Sequence, residues 1–265
     1  LALLRNRNLV FAGRVGEPDA LLGLMGEHLA ARPDAIIAVG PAIAAAGAVT
    51  RAVPIVTFGF DPIEPGLAAS YAQPGGNVTD VLILADKLET KRRPILLEAV
   101  PDRRRIAGLV PSPGWGGKEV ALRQAAAGLG AELLVFTVGK PSDYPAVFAA
   151  MQVPGVQALL VGATLQFQRD GKPPAGLALE ARLPTVCDWA DMAHDGRLIG
   201  YGPNRAALRK RMAAQIAQIF GGVAPGDIPI EQPTVLELAL NLRIAKSFDL
   251  SVPVALLARA DEAIE

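Results

Sequence analysis

Short apolar runs alternate with amphipathic stretches along the chain. Ala35-Ile36-Ile37-Ala38-Val39 is a continuous apolar run ended by Gly40, the pattern of a parallel strand buried on both faces. Ile55 to Phe58, Ile106 to Val110, Leu133 to Thr137, Ala158 to Val161 and Thr185 to Cys187 read the same way. Asn8 to Ala12 and Leu198 to Tyr201 are shorter extended segments. The stretches between them carry helical spacing. Pro18 to Arg32 places Leu21, Leu22, Met25 and Leu29 on one face, and Pro41 opens an Ala-rich helix to about Val49. Lys118 to Leu129 is a further helix. Ser142 is expected to cap a helix bearing Tyr144, Phe148 and Met151. Asn204 is expected to cap one with Leu208, Met212, Ile216, Ile219 and Phe220 inward, ended by Gly221-Gly222. Between about Thr90 and Val100 the helical pattern meets Pro94, which the rules of helix geometry confine to a first turn.

Strand, helix and strand thus repeat, and the repetition has two halves. Ala35 to Gly40 is echoed by Ala158 to Ala163, and Val53-Pro54-Ile55-Val56-Thr57-Phe58 by Leu183-Pro184-Thr185-Val186-Cys187-Asp188. The expected fold is α/β, with two Rossmann-like lobes built on parallel sheets. Parallel sheets bind ligands beyond the carboxyl ends of their strands. Two lobes facing each other would bring Gly40, Phe58, Val110, Val161 and Cys187 around one cleft.

Composition narrows the function. Of 265 residues, 51% are hydrophobic and 20% charged, and 26 Lys+Arg balance 26 Asp+Glu, so no basic surface for nucleic acid is expected. The apolar runs are too short and too interrupted for a membrane span. One cysteine, Cys187, excludes an intrachain disulfide, and two histidines leave little for a metal, so neither metal nor cofactor is expected. Gly-x-Gly-x-x-Gly after the first strand, a Walker loop and a nucleophile elbow are all missing from the sequence, and no catalytic residue is assigned.

Several residues could instead hold a ligand. Gly40-Pro41-Ala42 would present free N–H groups of a helix N-terminus, a seat for a carboxylate, or form a plain strand-to-helix turn. Phe58 and Phe60 flank Gly59 at a strand end, and one of them is expected to line the cleft. Ser112-Pro113-Gly114-Trp115-Gly116-Gly117 offers a hydroxyl, flexible N–H groups and an aromatic ring, with Trp115 the leading contact. Cys187-Asp188-Trp189 holds the same topological position in the second series, where Asp188 either accepts from a ligand amine or caps the following helix. Asp61-Pro62 reads as a turn, His28 and His194 lack partners nearby in sequence, and Arg103-Arg104-Arg105 reads as a solvated turn.

Several ordered motifs carry a resemblance. Asp61-Pro62, Pro65-Gly66-Leu67 and Pro74-Gly75-Gly76-Asn77-Val78-Thr79 are followed by Gly200-Tyr201-Gly202-Pro203 and Ile230-Glu231-Gln232-Pro233-Thr234. Leu240-Asn241-Leu242, Ala245-Lys246 and Leu257-Ala258-Arg259-Ala260-Asp261-Glu262 complete the series. Together they resemble a family of ABC-transporter substrate-binding proteins of the type I periplasmic binding protein fold, whose relatives include tryptophan and other aromatic amino-acid receptors. The resemblance implies a monomer that captures a small molecule in the periplasm by lobe closure and delivers it to an ABC permease, with no catalysis. It implies lobes that exchange chain, drawn here as 1–82 with 202–222 and 83–201 with 223–265, the tail from Ile228 falling on the second. It also implies a leader and a first strand-helix unit ahead of Leu1, which this chain is expected to lack. Alternative readings are the effector domain of a LacI-like regulator and an uncharacterised α/β enzyme. Thr164 stands where many relatives carry an aspartate for a ligand ammonium. That departure favours a carboxylate ligand with an apolar or aromatic body and no amine, unless Asp188 takes over the role.

Overall fold

The structure, a computed structural model, describes residues 20–40, 42–59, 61–63, 65–112 and 118–265. The expected strand Asn8 to Ala12 lies outside the described residues, as do Pro41, Phe60 and the loop with Trp115. In chain order the elements are α1 (Leu21–Ala30), β1 (Ile36–Val39), α2 (Ala42–Val49), β2 (Ile55–Phe58), β3 (Val78–Val81), α3 (Ala85–Ala99), β4 (Arg105–Pro111), α4 (Lys118–Ala127) and β5 (Glu132–Val138). There follow α5 (Tyr144–Gln152), β6 (Ala158–Val161), α6 (Leu165–Asp170), α7 (Lys172–Glu180), β7 (Thr185–Cys187) and β8 (Ile199–Pro203). The chain ends with α8 (Arg205–Phe220), β9 (Leu236–Asn241), α9 (Leu242–Ser247), α10 (Val254–Leu257) and β10 (Glu262–Ile264).

Two compact units emerge. The first comprises the described part of Leu1–Leu84 with Arg205–Thr234, and the second Ala85–Asn204 with Val235–Glu265. Among the described residues the first unit has a parallel three-stranded sheet, ordered β1-β2-β3, in which Ile36 pairs with Ile55 and Ile55 with Val78. Met25, Ile43 and Ala46 from α1 and α2 pack on Ile36, Ala38, Ile55 and Val78. Val56, pointing the other way, meets Ile219 of α8 and Ile228.

The second unit is built on a seven-stranded sheet, ordered β10-β9-β8-β7-β6-β4-β5, parallel except where β8 meets β9. Its core joins Leu96, Leu97 and Val100 to Ile106, Leu133, Leu160, Val186, Ile199 and Leu240. Apolar strands covered on both faces are what the sequence pattern anticipates for a central parallel sheet, and β6 is buried at every position.

Some expectations need correction. Ile37 is exposed, so β1 is not covered on both faces. Pro94 lies inside α3, because that helix starts at Ala85 and not near Thr90. Pro94 and Thr90 are both exposed, so the Thr90 carbonyl that a proline leaves without its helical donor faces solvent. The helix bearing Tyr144 is not capped by Ser142. Asp143 stands at the cap position but makes no side-chain bond to the helix; its Oδ2 instead accepts from the N–H of Gly139 (3.2 Å) and of Lys140 (3.0 Å) upstream. The tail joins the second unit only from Val235, since Ile228 and Ile230 are apolar and find cover in the first. The N–H of Leu82 donates to the Glu231 carbonyl (2.8 Å) and the N–H of Glu231 to that of Asp80 (3.0 Å), extending the ladder past β3.

Candidate ligand-binding site

In the first unit the strand order sets the carboxyl ends of β1, β2 and β3 side by side. Gly40 follows β1 at φ +59°, a left-handed turn that glycine adopts freely, and its carbonyl accepts from Ile43 N–H at 3.1 Å. Ala42, half-buried, opens α2. Phe58, also half-buried, ends β2 opposite Val81. Gly59 has φ +85° and donates to the Val81 carbonyl at 3.0 Å. A Cβ there would lie 2.4 Å from Ile83 Cδ1, the movable end of that side chain, and the positive φ itself strains any larger residue. Asp61 is the turn residue its sequence suggests: Oδ1 accepts from Ile63 N–H (3.0 Å) and Oδ2 from the Tyr71 hydroxyl.

In the second unit the neighbours β7, β6 and β4 bring Asp188, Thr164 and Ser112 to one edge of the sheet. Ser112 is exposed, its N–H donating to the Val138 carbonyl at 2.9 Å. Thr164 is half-buried and caps α6, its Oγ1 accepting from Phe167 N–H at 3.4 Å. Trp189 is a core residue, only 1% exposed. The strand beside it runs so close that a Cβ at Gly200 would lie 2.3 Å from the Trp189 carbonyl oxygen, and one at Gly202 1.9 Å from that of Asp188.

Asp188 is 1% exposed. Oδ2 accepts from Gln168 Nε2 at 3.3 Å, while Oδ1 is buried without a partner. Burial pushes the carboxyl up to about 6 against the opposing pull of the Arg92 guanidinium. Sequence reasoning missed Arg92, which is fully buried. Its Nε donates to the Tyr201 carbonyl (2.8 Å) and its Nη2 to that of Asp188 (3.3 Å), bridging the middle of β8 and the residue after β7; Nη1 is buried without a partner. The signal was present: Arg92 falls in step with Leu88, Leu96 and Ala99 on the buried face of α3. Cys187 is also buried, its thiol pushed up to about 12, so it stays neutral. Among the described residues no cluster of His, Cys, Asp or Glu is placed to hold a metal ion.

The sequence profile of a family described as ABC transporter substrate binding protein matches residues 6–264. The chain belongs to this family. A search of curated proteins found no match. Solved structures carry the same fold at low identity. An ABC domain from Streptococcus pneumonia in complex with L-Trp is 19% identical with a TM-score of 0.80, covering 94% of this chain and 87% of that one. A conserved domain protein from Vibrio cholerae is 21% identical with a TM-score of 0.82, over 94% and 84%. A LacI family transcriptional regulator from Bifidobacterium animalis is 13% identical with a TM-score of 0.56, over 84% and 82%. The fold of this substrate-binding protein is that of the type I periplasmic binding proteins. Membership implies a small-molecule ligand and an ABC permease as partner, and the family is typically periplasmic or extracytoplasmic. Among the described residues no helix is long and apolar enough to cross a membrane.

Proposed function

We propose that this substrate-binding protein captures a small carboxylate-bearing solute with an apolar or aromatic body, closes over it and delivers it to the permease. The observation that carries the reading is positional. Gly40, Ala42, Phe58 and Gly59 in one unit, and Ser112, Thr164 and Asp188 in the other, stand at or just beyond the carboxyl ends of neighbouring parallel strands, where α/β sheets bind ligands. The N-terminus of α2, after the Gly40 turn, is assigned to the carboxylate; Ile43 N–H already donates to the Gly40 carbonyl, which leaves the seat to the other N–H groups of that first turn. Trp115, just after β4, is the aromatic partner assigned to the ligand's body. The tryptophan bound to the Streptococcus structure supports an aromatic solute. Thr164 serves α6 first, so Thr164→Ala is expected to lower stability by about 1 kcal/mol and to weaken ligand binding little.

Differential scanning fluorimetry with amino acids and small aromatic and aliphatic carboxylates tests the proposal. A saturable rise in melting temperature is expected with at least one of them, equivalent to about 2.7 kcal/mol at a hundredfold excess over Kd. Recovery of the compound in altered form would overturn it, since capture leaves the solute intact.

A further inference from the structure

We infer that the second unit carries a further small-molecule site, a groove over the β8–β9 pair that takes an anionic group attached to an aromatic or short apolar body. It stands apart from the strand ends assigned to capture and does not rest on that reading. An open groove of about 460 Å³ has Lys91 and Ile95 of α3 in one wall and Arg259 and Asp261, from the segment after α10, in the other. Its floor is apolar. Tyr201 faces Leu238 across the antiparallel pair, and Leu236, two residues before Leu238, lies on the same face of β9. Leu238 is buried, whereas Tyr201, Leu236 and Ile95 are half-buried, so apolar side chains line a hollow that solvent reaches.

Size decides the class of occupant. The volume falls within the roughly 300–1,000 Å³ of small-molecule sites. Nine residues line it, against roughly 20–30 on each side of a stable protein interface, so a small molecule fits and a protein partner would need far more surface. Charge decides the polar group. Arg259 is already paired with Glu98 at 2.7 Å, and Asp261 turns its Oδ2 to the Leu238 N–H at 2.8 Å. Lys91 is exposed and makes no hydrogen bond or ion pair among the described residues, and the Tyr201 hydroxyl makes none either. The rim thus holds one uncommitted cation, on the α3 side, and a carboxylate across from it. An anion is drawn to Lys91 and repelled by Asp261, which sets the direction of the occupant. Its acid group lies toward α3, and its body lies over Tyr201, Leu236 and Ile95.

Amide NMR of the isotope-labelled full chain, titrated with 4-phenylbutyrate and with 4-phenylbutan-1-ol, tests the assignment, because the two compounds share a body and differ in charge. 4-Phenylbutyrate is expected to shift the amides of Tyr201, Leu238 and Asp261 saturably. Its Kd there should lie about two- to fivefold below that of the alcohol, the scale of an exposed ion pair. Lys91→Glu, at an exposed helical position, should reverse that order while the alcohol's Kd holds within about twofold. Thr90→Trp, which fills the groove from the same turn of α3, should remove the shifts produced by both compounds. Shifts at Gly40, Gly59 and Thr164 with none at Tyr201, Leu238 and Asp261 would overturn the groove and leave the capture function standing. Equal affinity for acid and alcohol, or an order that survives Lys91→Glu, would defeat the assignment of an anionic group. Amides that stay in place throughout at millimolar concentrations of both compounds would defeat the site itself.

Discussion

Asp80 sits in β3 with no surface exposure, its Oδ1 2.5 Å from the Thr57 hydroxyl and its Oδ2 buried without a partner. Gln215 of α8 donates through Nε2 to the carbonyls of Asp80 (3.0 Å) and Pro229 (3.3 Å), which fixes its amide orientation and leaves Oε1 also without a donor. A proton on Asp80 supplies a hydrogen where buried oxygens have none. Burial, helped by the negative charge of Asp61, pushes this carboxyl up to about 8 despite the bonds from Thr57 and Val81. The linkage sign follows. Below the unfolded value near 4 both states hold the proton; between there and about 8 only the folded state does, so each step up in pH favours unfolding; above 8 both are ionised and the effect levels off. Asp80→Asn is therefore expected to flatten the loss of stability between about pH 4 and 8 and to raise stability at the alkaline end by a few kcal/mol, on the order given by linkage. Urea unfolding of the two proteins across that range checks it, and parallel pH profiles would refute it. The sequence did not reveal Asp80, because a protonated acid sits in a strand as a polar isostere of Asn and disturbs no hydrophobic period. Asp188 was legible because its position after a strand drew attention; its contacts with Gln168 and Arg92, neither near it in sequence, were not.

Elements were easier to read than their ends. Apolar runs located β1, β2, β4, β5, β6 and β7, since burial of parallel strands leaves few alternatives. β3 is Val78–Val81, and the apolar Leu82 that follows it packs beyond the sheet, where it meets Ile230. The Pro74-Gly75-Gly76 motif acquires a physical reason only from a distant partner. The 3-10 turn Pro225–Asp227 lies on it, Gly75 N–H donates to the Gly226 carbonyl at 3.0 Å, and a Cβ on Gly226 would fall 2.7 Å from the Gly76 oxygen and 2.8 Å from its nitrogen. Gly226→Ala must push two backbones apart and is expected to destabilise by about 1–3 kcal/mol. Gly176 makes the contrast. It lies inside α7 with open space around its missing Cβ, so Gly176→Ala is expected to stabilise by roughly 0.5–1 kcal/mol through helix propensity. Equilibrium unfolding of both variants decides the matter, and equal effects would show that the close approach at Gly226 is slack.

At the scale of the whole molecule the chain crosses between units three times, after Leu84, Asn204 and Thr234. The sequence suggested the exchange, and misjudged where the last crossing falls because Ile228 and Ile230 reveal their cover only in three dimensions. The second unit holds its own core and a sheet of seven strands, and the segment that interrupts it, Arg205–Thr234, belongs to the first. The two ends of that interruption are neighbours. Pro203 pairs with Leu236 in the antiparallel register of β8 and β9, and Asn204 N–H reaches the Val235 carbonyl at 3.4 Å. Closing Asn204 onto Val235 through a two-residue Asn-Gly turn would therefore make β8 and β9 an ordinary hairpin of the tightest kind. A chain of Ala85–Asn204, that turn and Val235–Glu265 is expected to fold by itself, because it keeps every strand pair of the larger sheet. The converse holds for the first unit: without Arg205–Thr234 it loses Ile219 and Ile228 from beside Val56, and Gln215 from Asp80, and is expected not to fold. Thermal melting followed by circular dichroism checks both chains. A single cooperative transition is expected for the closed second unit; a broad, featureless melt with dye-accessible apolar surface would mean that its core depends on the first.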